Sequence, residues 1–191
     1  TLQLIIMKQQ QWPAHISNGT VMVVEKFYDT PISMIPVHPS AMEIYSYKLL
    51  HGPDFALVTY SAKHCFDFIK GFQHLQGLFA HEDLPAPLKK LMAEIEQVID
   101  KPQFKIIEKC IKSEQLTKSQ LLDFAHFIRY RFKHNMMSLV IMYAQIDAWY
   151  GMAKAVQKFG LVFPEFVQHD EPVIAAKGLY HLLVQEPVAY D

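Results

Sequence analysis

An excess of either charge is absent from this 191-residue chain: 18 Lys and Arg stand against 19 Asp and Glu, a formal charge of −1. That excludes a globally basic nucleic-acid binder and leaves room only for a local basic patch. Cysteine is scarce. Cys65 and Cys110 are the two present, too few for a disulfide scaffold or a four-cysteine zinc module. A reducing, cytoplasmic compartment is the expectation. Glycine is scarce as well, and no Gly-x4-Gly-Lys-Ser/Thr phosphate loop exists. The nearest pair, Gly71 and Gly77, has five residues between and Leu78 after. No apolar run approaches the ~18–20 residues of a membrane span. Met136 to Ala144 comes nearest and stops at Gln145 and Asp147. Thr1–Met7 is apolar but has no basic start and no small-residue cleavage site, so no signal peptide is expected. The first residue is Thr1 and Asp191 brings no closing signal, which suggests a piece of a longer protein.

What is present is foldable. The hydrophobic set makes up 51% and charged residues 19%, outside the disordered class. The length allows one domain, or one and part of another. Residues 1–38 read as an irregular segment with short strands. Asn18-Gly19 is a turn signal, and the valine- and aromatic-rich Thr20–Tyr28 reads as a strand. Ser33–Val37 suggests a second. Residues 39–160 read as helical. Pro39 suits a first turn, and Gly52-Pro53 should stop that helix at about His51. Phe55–Tyr60 is ambiguous and reads as extended. Ser61 is a possible cap for a helix whose stripe is Cys65, Phe68, Ile69, Phe72, Leu75 and Phe79. Leu88, Leu91, Ile95, Val98 and Ile99 make the next stripe. A short helix is expected from about Pro102 to Ile111.

Thr117 and Gln120 form a capping-box pattern. From there to Phe159 there is no proline, and Gly160 supplies a stop. An unbroken helix of that span is about 63 Å long, a lever more than a core element. Leu121, Ala125, Ile128, Phe132, Met136, Leu139, Tyr143, Ile146, Tyr150 and Ala153 step by three or four throughout, so one seam should face partner helices. Phe127, Ile141, Met142 and Met152 lie off that seam, where a second helix or domain is expected to pack. Residues 161–191 read as a connector, with short strands at Pro172–Ala176 and Tyr180–Val184. The fold class is therefore mainly α: a helical core, one very long lever helix, and minor strands at both ends.

The stretch from Tyr143 to Gly160, with Asp147, Ala153, Phe159 and Gly160 in order, resembles the end of the lever helix in the MutS family of DNA mismatch repair proteins. Pro164-Glu165 follows in the family's order. Gly178-Leu179-Tyr180-His181-Leu182 is similar to its Gly-Arg-His-Pro motif, with Leu182 in place of the proline. Gln185-Glu186-Pro187 is similar to its Asn-Glu-Pro element. Pro87–Phe104 resembles the core helices before the lever. The close match covers about the last 50 residues, and a looser one runs from roughly Ala41. The resemblance implies a core and lever middle part of a protein that binds DNA and hydrolyses ATP with Mg. Its ATPase domain would follow residue 191, and a homodimer would form through that domain. It implies apolar contact with adenine at Val188 and Ala189. The family's long DNA clamp has no counterpart, because Ile111 to Thr117 is too short for one.

From Lys101 to Lys133 eight basic residues outnumber three acidic ones. Lys101, Lys105, Lys109, Lys112 and Lys118 are the candidate DNA contacts, since phosphates need cationic reach and no fixed motif. A solvated lysine face is the alternative. Phe127 and Tyr130, near Arg129 and Arg131, suit base stacking or simple burial. No catalytic residue is assigned. Ten histidines form no His-Glu-x-x-His and no metal set. His64 and Cys65 point about 100° apart on a helix and cannot share a proton well. Cys110, between Lys109 and Lys112, has cations but no base. Glu94 and Glu96 diverge. The expectation is a mechanical link without catalysis of its own. The alternative is a helical protein–protein scaffold with no nucleic-acid role.

Overall fold

The structure is a computed structural model, and it describes residues 1–14, 16–100, 116–168, 170–182, 184, 186 and 188. Among these residues the chain is mainly helical. α1 is Leu2–Lys8, followed by a 3-10 turn at Gln9–Gln11. α2 is Asn18–Asp29, α3 Ala41–Leu50, α4 Gly52–Phe79 and α5 Ala86–Ile99. α6 is Lys118–His126, a π turn occupies Phe127–Arg131, and α7 is Lys133–Phe159.

The expected strand at Thr20–Tyr28 is helix α2 instead. Its buried residues are Thr20, Val24, Phe27 and Tyr28, a helical spacing that alternation cannot give. Ser17 caps it, its Oγ accepting the Thr20 N–H at 3.2 Å. Asn18-Gly19 therefore opens a helix and makes no hairpin turn. Ser33–Val37 is not a strand either. The Ser33 N–H donates to Asp54 at 2.8 Å, and Ile35 is fully buried, so this segment is pinned as a plug. Phe55–Tyr60 belongs to α4, which starts straight after Gly52 with Pro53 in its first turn. Residues 172–176 carry no strand, and Leu179 makes a lone bridge. Leu183, within the other expected strand, lies outside the described residues, as does the expected helix from Pro102 to Ile111.

α4, about 42 Å long at 1.5 Å per residue, is the central post. α2, α3, α5 and α6 pack against it, and α1, α2 and α5 pack against α7. The stripe Cys65, Phe68, Ile69, Phe72, Leu75 and Phe79 is buried. So are Leu88, Leu91, Ile95 and Ile99 of α5. Gly71 is the notch of α4: a Cβ there would lie 2.1 Å from Ile16 Cγ1. The loop before α2 uses that space.

The single long helix from Lys118 to Phe159 is also corrected. The Phe132 N–H bonds to the Phe127 carbonyl at 3.1 Å, a five-residue step that inserts a π turn. The chain then bends at Phe132, with φ −118° and ψ 5°. Tertiary hydrogen bonds meet the turn. The Tyr28 hydroxyl donates to the Ile128 carbonyl at 3.0 Å. Arg129 donates to the carbonyls of Phe27 and, at 2.8 Å, Thr30. The C-terminal end of α2 thus draws on backbone and side chain of the turn. The seam survives the break: Ala125, Ile128, Phe132, Met136, Leu139, Tyr143, Ile146 and Ala153 are all buried. Thr117 and Gln120 form the expected capping box. Gly160 ends α7 at φ +61°, a conformation glycine takes at no steric cost.

Candidate functional site

A polar arrangement lies where α2 and the loop after it meet α6 and the π turn. Arg129 reaches the end of α2, where cations suit the partial negative charge of the last carbonyls. Its guanidinium also lies 5.2 Å from the Phe27 ring centre. Lys133 sits 5.7 Å from the Tyr28 ring centre. Burial pushes the Tyr28 hydroxyl far above the ordinary tyrosine range, so it stays a donor. Below this joint, His38 adopts φ +45°. Its backbone N–H donates to Asp123, and its ring Nδ1 lies 3.0 Å from the other Asp123 oxygen. The Ser119 hydroxyl donates to the Pro39 carbonyl at 3.0 Å. His126 is held below its ordinary range by burial first and by the Arg131 guanidinium second. These groups hold elements together.

Ser33, His51 and Asp54 also meet. Ser33 Oγ lies 2.9 Å from His51 Nδ1. The Asp54 carboxylate, however, accepts from Ser33 and not from the second ring nitrogen of His51. Hydrogen bonds from Ser33 hold Asp54 below the usual carboxylate range. In a working triad the acid orients the base; here both partners act on the serine, which ties the loop to the start of α4. Cys65 is fully buried, and burial raises its thiol well above the ordinary range, which makes it inert. Among the described residues no group of three His, Cys, Asp or Glu side chains is arranged to hold a metal.

A cavity of about 790 Å³ lies between the end of α4 and α5. Glu82, Asp83, Glu96 and Asp100 give its lining an acidic character, with Lys89 opposing them. Lys8 of α1 bridges to Glu82 at 2.6 Å. No Ser, Thr, Cys, His or Tyr is among the described lining residues. Sequence reading did not find it, because the hollow depends on how α4 and α5 splay.

Of the candidate DNA contacts, Lys118 is exposed in the first turn of α6. Lys101, Lys105, Lys109 and Lys112 lie outside the described residues, as does Cys110. Tyr130, expected near a stacking surface, is half-exposed and lies against His126, their ring centres 4.8 Å apart. Phe127 is half-buried and stacks on Phe132. Val188 is 71% exposed, and Ala189 lies outside the described residues. Val188 alone does not make a nucleotide site. Tyr180 lies back against the end of α7: its hydroxyl donates to the Phe159 carbonyl at 3.0 Å. Val162, Phe163, Phe166, Val167 and Ile174 of that segment are exposed.

No family model, curated protein or solved structure matches this chain. No helix among the described residues is long and apolar enough to cross a membrane.

Proposed function

We propose that this chain is the core and lever part of a MutS-like DNA mismatch repair protein, acting in the cytoplasm. In this reading it couples an ATPase that follows it to DNA held at the far end. α6, the π turn and α7 together are the lever. A helix with a π turn suits that task, since coupling needs an element with discrete arrangements. The observation that carries the reading is the end of α7. The stretch from Tyr143 to Gly160 ends on a glycine cap, and Tyr180, in the segment similar to the family's next motif, caps the helix's last carbonyl. Movement of the following segment is thereby tied to the lever.

The segment 161–191 would complete its strands against the ATPase domain, which is how its exposed apolar side chains become buried. ATP and Mg would bind in that domain, for this chain has no phosphate loop of its own. Its own residues hold and transmit; they perform no chemistry. Measurable ATP turnover by residues 1–191 would contradict that.

The DNA part is tested by anisotropy titration of a labelled duplex across a salt series. The expected result is salt-dependent binding that weakens strongly in a Lys105→Glu, Lys109→Glu, Lys112→Glu chain, with a smaller salt slope. Binding that ignores those changes speaks for the second reading, a helical scaffold without a nucleic-acid role. That reading draws support from exposed Met42, Tyr45 and Leu49 on α3, spaced as one helical face.

A further inference from the structure

α7 carries a second apolar line besides its buried seam. Met137, Ile141, Ala144, Ala148, Met152, Ala155 and Phe159 step by four, three, four, four, three and four. That spacing keeps them on one side of a helix. No charged residue interrupts the line. Ile141 is 70% and Met152 48% exposed, Ala144, Ala148 and Phe159 are exposed, and Met137 and Ala155 are half-buried. At 1.5 Å per residue the line is about 33 Å long.

Its spacing reads the same in both directions about Ala148. Turn a second copy end for end, and positions equidistant from Ala148 meet. Ile141 then faces Ala155, Met152 faces Ala144, and Ala148 faces Ala148. At each of these levels a large side chain meets a small one, or two small ones meet. Met137 and Phe159 close the ends. This is self-complementarity of the kind a two-fold contact requires. Three alanines near the centre let the helix axes approach to the short end of the about 8–10 Å range. A formal charge of −1 per copy leaves little repulsion between copies. We propose that the outer line of α7 pairs with the same line of a second copy, antiparallel and two-fold symmetric about Ala148.

The area sets the strength. A line about 33 Å long on a helix about 10 Å wide covers about 330 Å² per copy. Two copies bury about 660 Å², well below the ~1,200 Å² where stable interfaces begin. An interface of that size fits a weak, reversible dimer. It is independent of any contact through a following ATPase domain and does not depend on the MutS-like reading.

Sedimentation equilibrium of the 191-residue chain from about 5 to 500 µM tests it. The expected average mass rises from 22.1 kDa toward twice that value. Ala148→Glu sets two carboxylates face to face and should hold the mass at the monomer value. Its thermal melt should stay unchanged, because Ala148 is exposed and Glu is a good helix former. In a Cys110→Ser background, Ala148→Cys should give a disulfide-linked dimer on oxidation, and Lys154→Cys, off the line, should not. A chain that stays monomeric throughout overturns the proposal, leaving the line to another part of a longer chain or to a different protein. Self-association that Ala148→Glu leaves intact overturns it too, as does cross-linking through Lys154→Cys and not Ala148→Cys.

Discussion

Gly71 and Gly77 sit six residues apart on α4 and should respond to alanine in opposite ways. A methyl at Gly71 meets Ile16 Cγ1 at 2.1 Å and Cδ1 at 2.6 Å. Overpacking of that kind costs about 1–3 kcal/mol. Gly77 has nothing within 4 Å of the added Cβ, so Gly77→Ala should stabilise by about 0.5–1 kcal/mol through helix propensity. Urea melts of the two variants check both signs. His126 supplies a pH signature. Its depressed folded value means that the unfolded chain takes up the proton first. The stability it contributes is therefore present above pH 6.5, the ordinary histidine value, and is lost as pH falls below it. In an NMR titration its midpoint should lie below 6.5, and His126→Gln should flatten stability between that value and lower pH. The inertness of Cys65 was legible from its place on an apolar stripe. The Ser33, His51 and Asp54 cluster was not, since it joins a loop to a helix start.

Three helix ends were legible, while Ser61, expected as a cap, lies buried inside α4. The Thr117 and Gln120 box, the Gly52 break and the Gly160 cap all rest on local chemistry, which a sequence carries directly. α2 misled for the same local reason: Val21, Val23 and Val24 prefer strands, and Asn18-Gly19 resembles a turn. The buried face of α4 outweighed that preference. The break in the long helix is where Tyr28 and Arg129, about a hundred residues apart in sequence, join α2 to the turn, a link that no local pattern could show. Tyr28→Phe tests the link. Losing its bond to the buried Ile128 carbonyl should cost about 1–2 kcal/mol. Hydrogen exchange should then quicken at the Phe132 amide ahead of the α4 amides. Equal protection in both proteins would show that the π turn needs no help from α2.

At the scale of the whole molecule, one buried seam runs from Ala125 to Ala153 across the π turn. The three-to-four step of apolar residues made that seam readable, because burial selects one face of a helix wherever the tertiary partners lie. Hollows and inter-element clasps were not readable, since each depends on the placement of two elements at once. The candidate site was legible only as residue types: Lys118 stands exposed where a cation was expected, and Val188 lies on an open segment. The acidic cavity between α4 and α5 had no signal in spacing.

The lever account makes a demand on the chain beyond Asp191, and the coding sequence there is the measurement to make. The account predicts a Gly-x4-Gly-Lys-Ser/Thr loop, able to cradle ATP phosphates, within about 30–40 residues. A stop codon directly after Asp191 would contradict it.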